Sequence, residues 1–368
     1  MPPAPRRISF VVNRGVLALF VLITGCHSLG PSTVPRDRSD YASSISESWK
    51  RQTLLNIVKL RYLDPPIFVD VGQIISGYSL ETSVSAGASL PENASFGAGN
   101  TGTIAGAARF TDRPTITYTP LTGNRFIKGL MTPIPPESVF FTIQSGWPAD
   151  GVLFAAVASI NGLKNQETSL GRLSPPDPEF LRVLALMRKL QLAGTVGMRV
   201  QVDAKQQQSA LLTFRTSEVT PETKADSLEL RKLLRLDPNA GSFRLVFGGA
   251  ASDDKEVAVL TRSIINLMQT MASHAQVPPE HVTEGRVAPG IDSVSKDPND
   301  PRLIRIRCDA KKPPAADSFV SVRFRDNWFW IDDRDLKSKR TFAFMMMLFT
   351  LADTGEKENL PLVTIPAQ

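Results

Sequence analysis

The sequence predicts an α+β fold of mixed helices and mainly antiparallel strands, with a Gly/Ser/Ala-rich β-hairpin insertion. Two observations support this prediction. Segments with helical spacing and segments with the two-residue period of strands are mixed without the regular alternation of a doubly wound sheet. In addition, small apolar and hydroxyl-bearing side chains alternate with period two over residues 78–119. We therefore expect a mixed globular body that carries one long hairpin.

The first 25 residues are typical of a secretory signal peptide, with a basic start, an apolar run over 16–23 and small residues behind it. The run is too short for a permanent membrane helix, which needs about 20 apolar residues. Three arginines of this leader supply half of the formal net charge of +6. The remaining chain is close to charge balance, so its composition gives no electrostatic argument for binding nucleic acid.

A five-residue motif follows the apolar run and consists of Leu22, Ile23, Thr24, Gly25 and Cys26. It resembles the lipobox of bacterial lipoproteins, in which small residues fit the signal peptidase and the cysteine thiol receives diacylglycerol. The resemblance covers only about the first 30 residues. It implies that Cys26 becomes an acylated N-terminus that anchors the protein in the membrane. His27 stands where Asp would follow the cysteine of an inner-membrane lipoprotein, which implies an outer-membrane anchor with the body in the periplasm. The alternative is an ordinary secretory signal with a chance cysteine.

The mature chain is predicted to comprise a lipidated tether and two α+β regions. Residues 26–40 are polar and contain proline, as expected of a tether. The N-terminal region covers 41–175 and includes the hairpin at 78–119, and the C-terminal region covers 176–368. Because Cys26 is assigned to the anchor, Cys308 has no intramolecular disulfide partner, and its alternating surroundings predict a half-buried structural thiol.

The N-terminal region begins with a predicted helix from Tyr41 that ends before Pro65 and Pro66. A β-branched and aromatic segment follows as a strand, and the hairpin comes next. The apolar stretch 126–163 is predicted to be helical in two pieces around a break at 145–148.

The C-terminal region starts with a helix over 175–194 and two antiparallel strands at 197–204 and 209–216. A charged helix and a strand ending at Gly248 and Gly249 come next. The sequence then predicts one long amphipathic helix at 254–275 and a polar loop at 278–301. Three strands follow, one at 303–310 and two within 318–333. A helix at 339–353 and a short apolar strand at 360–365 complete the region.

The predicted hairpin has two distinct faces, because its apolar residues occupy even positions and its serines and threonines mostly occupy odd positions. Each half offers enough residues for a strand that crosses a bilayer at a tilt, which takes about 9 to 11. Open strand edges are not tolerated in lipid, so several subunits would each contribute one hairpin. The candidate membrane-facing residues are Leu80, Val84, Ala86, Ala88, Phe96, Ala98, Ile104 and Phe110. The alternative is a surface hairpin or loop in water.

Two glycine-rich segments invite comparison with phosphate-binding loops. Gly97, Gly99 and Gly102 have the spacing of a dinucleotide loop, but the preceding residues 91–93 make a poor central strand. After the second segment, residues 252–254 are predicted to cap a helix and to place negative charge where an anion would bind. We expect no nucleotide or other cofactor at either segment.

The sequence contains no recognised catalytic motif and no spacing typical of metal ligands, so neither an enzyme nor a metal site is predicted. The acidic run 332–335 is interpreted as a hairpin end or helix cap in preference to a calcium site. Trp328 and Trp330 are predicted to lie on one face of a strand, where they could stack on a sugar ring or serve as ordinary packing residues.

These observations predict an outer-membrane-anchored lipoprotein that serves as a structural or assembly component of the bacterial envelope. The membrane-inserting hairpin would make it a homo-oligomer. The alternative hypothesis, from a different functional class, is a periplasmic hydrolase or glycan-binding module that uses the face of Trp328 and Trp330.

Overall fold

The structure is a computed structural model that describes residues 29–75, 77–89, 101–122, 124–169, 172–202, 208–215, 219–290, 303–311, 313 and 317–352. Helices and mostly antiparallel sheets are combined in it, which confirms the predicted α+β class. The described residues form two compact units, of which the first lies within 1–46 and 70–119 and the second lies within 47–69 and 120–368. The predicted division at residue 175 follows the chain, whereas these units are discontinuous in sequence.

The first helix, α1 (Leu29–Arg61), starts before the predicted Tyr41, so residues 29–40 are helical instead of the expected polar tether. Pro31 lies in the first turn, where a missing amide donor breaks no intrahelical hydrogen bond. Pro35 lies inside the helix. Asp37, two residues further on, accepts a hydrogen bond from the Tyr78 hydroxyl at 2.5 Å, and this contact holds the early helix within the first unit.

The two halves of the predicted hairpin pair with each other, and a second pair of strands extends the hairpin beyond the predicted residues. Its four strands are β1 (Phe68–Ile75), β2 (Tyr78–Ser89), β3 (Thr101–Asp112) and β4 (Thr115–Leu121). β2 pairs with β3 in antiparallel orientation, and β1 pairs with β4 in a second two-stranded sheet. We call β1 to β4 together the hairpin arm.

The second unit is built on a six-stranded sheet with the order β6-β5-β12-β11-β10-β9. Its strands are β5 (Val157–Ile160), β6 (Leu163–Lys164), β9 (Val196–Val202), β10 (Gln208–Phe214), β11 (Ser242–Phe247) and β12 (Glu256–Thr261), and a separate short hairpin consists of β7 (Glu167–Ser169) and β8 (Arg172–Ser174). The neighbours β11 and β12 are parallel, and the other neighbouring strands run antiparallel. The sheet joins strands from both sides of residue 175.

Between the hairpin arm and β5, the described residues form three helices and not the two predicted pieces. They are α2 (Asn124–Met131), α3 (Pro136–Gln144) and α4 (Ala149–Ala156). The expected break at 145–148 is confirmed, and Gly146 has a φ of 100° there. The end of the apolar stretch is β5, which turns into β6 through Asn161 and Gly162 with φ angles of 44° and 85°. Such an Asn-Gly pair is typical of a tight hairpin turn.

The predicted long helix over 254–275 is wrong. Its first part is the strand β12, and only α7 (Ile264–Ser273) is helical, after α5 (Pro178–Leu192) and α6 (Pro221–Leu233). β12 lies between β5 and β11, and most of its side chains are buried on both faces. A strand buried on both faces has no alternation that would separate it from a helix by periodicity.

The predicted capping role of residues 252–254 is therefore also wrong. These residues form the turn between β11 and β12, in which the Lys255 amide donates to the Asp253 carboxylate at 2.8 Å. The helix α7 is capped instead by Ser263, whose hydroxyl accepts from the Asn266 amide at 3.3 Å.

The last part of the second unit is a three-stranded sheet with the order β13-β15-β14. Its elements are β13 (Arg307–Asp309), β14 (Ser318–Phe324) and β15 (Asn327–Asp332), with α8 (Pro279–Thr283) before them and α9 (Leu336–Ala352) after them. The hairpin turn between β14 and β15 falls at Arg325 and Asp326, whose φ angles are 46° and 64°. The strand predicted at 360–365 lies outside the described residues.

One apolar core joins the elements of the second unit. Its largest fully buried side chains are aromatic and comprise Phe68, Phe180, Phe243, Phe329 and Phe342. Trp49 and Trp147, two of the four tryptophans of the sequence, also pack against this core.

Candidate functional sites

The ladder between β2 and β3 is regular over its whole length. It runs without a bulge from the pair Tyr78 and Asp112 to the pair Ser89 and Thr101. Each even-numbered residue of β2 pairs with an even-numbered residue of β3. The pairs include Leu80 with Phe110, Val84 with Gly106, Ala86 with Ile104 and Ala88 with Gly102. The positions predicted to face the membrane therefore share one face of the arm, except Phe96 and Ala98, which lie outside the described residues.

The β1–β4 ladder continues the β2–β3 ladder, because β1 comes just before β2 in the chain and β4 comes just after β3. The Arg113 amide donates to the Gly77 carbonyl at 3.0 Å between them. Further along, β1 and β4 approach so closely that a Cβ atom at Gly72 would lie 3.1 Å from the Thr119 hydroxyl oxygen. The β2–β3 ladder alone, with 12 residues in each strand, extends over about 40 Å.

Both faces of the arm are open to solvent near the middle of β3. Ala107 and Ala108 point to opposite faces, and both are exposed, as is Arg109. Glu81 stands opposite Arg109 in the ladder and is exposed as well. On β4, the exposed fraction is 38% for Ile116 and 63% for Tyr118. Nothing in the described residues of this chain covers the arm at these positions.

Both long edges of the arm are also unpaired. In the described part of the chain, β2 and β3 pair only with each other, in a two-stranded sheet. Unpaired edges present rows of free backbone donors and acceptors, which are templates for another strand. A two-stranded hairpin without a third strand is marginally stable in water. The arm therefore presents backbone edges at which a further strand can pair.

A second candidate site is the outward face of β15, which we call the tryptophan face. Phe329 and Ile331 are fully buried on the core side of this strand. Trp328 and Trp330 alternate with them and are only half buried, so both indole rings lie on the opposite face, as predicted. The fold thus places two tryptophans side by side on the central strand of a small sheet, away from the core.

Polar residues flank both tryptophans in the neighbouring strands. Trp330 stands between Arg307 and Ser321, and Trp328 stands between Asp309 and Arg323. The two arginines form ion pairs, with Asp332 at 3.1 Å and with Asp326 at 3.0 Å. The tryptophan face therefore combines an aromatic centre with a rim of hydrogen-bond donors and acceptors of both charges.

Cys308 has the environment expected of a structural thiol. It stands opposite Phe329 in the ladder between β13 and β15 and packs against the core, on the other side of the sheet from the tryptophan face. Burial, with a smaller contribution from the nearby Asp309 carboxylate, raises the pKa of the thiol to about 12. The protonated thiol is thus the stable form at neutral pH, which argues against a nucleophilic role.

The acidic run at the end of β15 has structural roles. Asp335 accepts hydrogen bonds from the amide and hydroxyl of Ser338 at 3.1 and 2.7 Å and so caps the start of α9. Asp333 forms an ion pair with Lys339 at 2.6 Å. Across the described residues, no three or more His, Cys, Asp or Glu side chains are grouped to hold a metal ion. The hydrogen bonds of Asp335 to Ser338 confirm the interpretation of this run as a helix cap.

Sequence reasoning missed a contact between α1 and the segment around α8. The Tyr62 hydroxyl and the His281 Nδ1 atom lie 2.8 Å apart, and the Arg325 guanidinium lies 4.7 Å from the centre of the Tyr62 ring. Burial raises the pKa of Tyr62 to about 12, so the hydroxyl stays protonated and can donate to the imidazole. These residues are far apart in the sequence, and no local motif announces their contact.

Sequence reasoning also missed a buried arginine at the end of β12. Arg262 donates to the carbonyls of Phe154 and Ala155 at 3.0 and 2.9 Å, and to the carbonyl of Gln166. Burial lowers its pKa to about 10, so the guanidinium keeps its charge at neutral pH. Its donors satisfy backbone groups where α4 meets β5, which is a structural role.

The proposed lipobox, Leu22 to Cys26, lies outside the described residues. Within the part of the chain that is described, no helix has both the length and the apolar character needed to cross a bilayer. Comparison with known protein families, characterised proteins and solved structures finds no match to this chain.

Proposed function

We propose that this protein is a lipid-anchored structural or assembly component of the bacterial outer membrane and that it forms homo-oligomers through its hairpin arm. The observation that carries the proposal is the bulge-free ladder of 12 residue pairs, which has two unpaired edges in the described chain. Such an element gains backbone hydrogen bonds only when another strand joins it.

A second copy of the same chain is the partner that fits both edges. β2 and β3 are antiparallel and equal in length, so the β2 edge of one copy can pair with the β3 edge of the next in the same antiparallel sense. Repetition of this contact is heterologous, and it ends only when the ring closes. Each copy would contribute two strands, so about four copies are needed for the smallest membrane barrels.

The two faces of the arm suit the two sides of such a ring. The odd positions include Ser83, Ser85 and the cross-strand pair of Glu81 and Arg109, which would face water inside the ring. The even positions are mostly small or apolar and would face lipid, as in barrels whose strands alternate with a dyad period. Closure also removes the open edges that a bilayer does not tolerate.

The resemblance of residues 22–26 to a lipobox supports the proposed lipid anchor. Acylation of Cys26 would hold the mature protein at the outer membrane, with the α+β body in the periplasm. The variant Cys26→Ser should accumulate as uncut precursor and lose labelling by a fatty-acid probe, while a Cys308→Ala variant should label normally. Unchanged labelling of Cys26→Ser would contradict the anchor.

Native mass measurement and chemical cross-linking of the detergent-extracted protein test the assembly. We expect one closed oligomer with a cross-link ladder that ends at a fixed copy number. The matched control is a chain that lacks residues 78–112 and carries a short Gly-Ser linker, which should stay monomeric. A monomeric full-length protein whose arm is cut by protease would contradict the proposal.

A further inference from the structure

The tryptophan face is unusual because large apolar side chains lie on the outward side of a sheet. Trp328 and Trp330 are half buried there, whereas Trp49 and Trp147 pack against the core. Tryptophan and arginine together are enriched at the centres of binding surfaces. A half-buried aromatic pair on the outward side of the sheet, outside the core cluster, is suited to contact with a ligand.

The spacing of the two rings suits an extended ligand. Residues two apart on one strand are separated by about 7 Å, and they project from the same face. β15 is the central strand of its sheet, so the rings lie on the middle of a flat surface and not at a pairing edge. A ligand that covers both rings must itself present flat apolar surfaces in succession.

The charges around the rings favour a neutral ligand. Arg307 is paired with Asp332 and Arg323 is paired with Asp326, so each of these two cations has an anionic partner. Asp309 adds another exposed carboxylate beside Trp328. A strongly anionic ligand such as a nucleic acid would meet these carboxylates, and a cationic one would meet the arginines.

We propose that the tryptophan face binds a neutral oligosaccharide chain, with sugar rings stacked on Trp328 and Trp330 and with their hydroxyls hydrogen-bonded by the surrounding charged side chains. A pyranose ring with equatorial hydroxyls has apolar C–H surfaces above and below and polar groups around its edge. This distribution matches an indole centre with a polar rim. Hydroxyls both donate and accept, so they use guanidinium and carboxylate groups alike.

The arginine and aspartate side chains are positioned for this role without major rearrangement. The side chains of Arg307 and Arg323 are 41% and 61% exposed, so their remaining donors are accessible to a ligand lying on the rings. Ser321 pairs with Trp330 across the ladder between β14 and β15, and its hydroxyl offers a further hydrogen-bond donor and acceptor. This inference does not depend on the hairpin arm or on oligomerisation.

Titration of the full-length, detergent-solubilised protein with chitohexaose and cellohexaose tests the proposal, with intrinsic tryptophan fluorescence and calorimetry as readouts. We expect saturable binding of at least one of these neutral chains. Trp328→Leu and Trp330→Leu should each weaken it about tenfold, because leucine keeps apolar bulk but removes ring stacking. Both variants should fold, since the indole rings lie outside the core.

The matched control is Trp147→Phe, which alters a half-buried tryptophan that lines a separate surface depression with Arg340 and Phe344. It should bind the oligosaccharide like the unaltered protein. Failure of the unaltered protein to bind either neutral chain would overturn the proposal. Equal binding by both leucine variants, or preferential binding of an acidic polysaccharide that the variants retain, would also overturn it.

Discussion

The hydroxyl of Tyr78, the first residue of β2, donates a 2.5 Å hydrogen bond to the carboxylate of Asp37 in the early part of α1. This bond is the main cause of the lowered pKa of Asp37, and hydrogen bonds from Arg36 and Thr33 lower it further. It connects the helix that follows the proposed anchor with the start of the hairpin arm, inside the first unit.

We expect Tyr78→Phe to raise the pKa of Asp37 toward its ordinary value, because the ionised carboxylate loses its principal donor. A lowered native pKa stabilises the fold above the ordinary carboxylate range, and this contribution is lost as the pH falls through the native pKa. Carboxyl NMR titration of Asp37 measures the change, with Tyr118→Phe on β4 as control. An unchanged titration would show that the hydrogen bond does not hold Asp37.

A second prediction concerns Cys308, whose thiol packs on the core face of β13. Cys308→Ser should lower the free energy of unfolding by about 1 to 3 kcal/mol, because the hydroxyl is a stronger polar group in an apolar site. Cys308→Ala serves as the control without a polar group. Because burial raises the native thiol pKa to about 12, stability should fall above about pH 8.5, where the unfolded thiol ionises. Rapid alkylation of the native thiol would contradict its burial.

The third prediction concerns Arg262, which is nearly fully buried and donates to three backbone carbonyls. Arg262→Met should lower the free energy of unfolding by about 3 kcal/mol or more, because the carbonyls lose their donors inside the fold. The control Arg182→Met removes an exposed surface ion pair with Glu229 and should change stability far less, because solvent screens such pairs. Denaturant unfolding compares the two, and equal losses would contradict a special role for Arg262.

The hairpin arm could be predicted because an open two-stranded sheet alternates strictly between its faces, and the register of Leu80 with Phe110 preserves that alternation. Trp328 and Trp330 could be placed for the same reason. The strand β12 could not be predicted, since a strand that is buried on both sides has lost the period that identifies it.

Other features depend on contacts between residues that are distant in sequence. The early part of α1 carries the hydrogen bond between Asp37 and Tyr78, whereas Pro31 and Pro35 taken alone favour a tether. Arg262 becomes structural only because the carbonyls of Phe154 and Gln166 converge on it. Such partners are set by the tertiary fold, and a local pattern carries no signal for them.

The central claim is that the arm assembles with its even face toward lipid, and Ala107 and Ala108 test it most directly. Both are exposed neighbours on β3 that point to opposite faces, so the same substitution can be made at each with matched local effects. Arginine on a lipid-facing strand position costs about 2 to 4 kcal/mol near the middle of the bilayer. We expect Ala108→Arg to abolish the oligomer in native mass measurements of membrane-extracted protein, and Ala107→Arg to retain it. Equal tolerance of arginine at both positions would contradict the account.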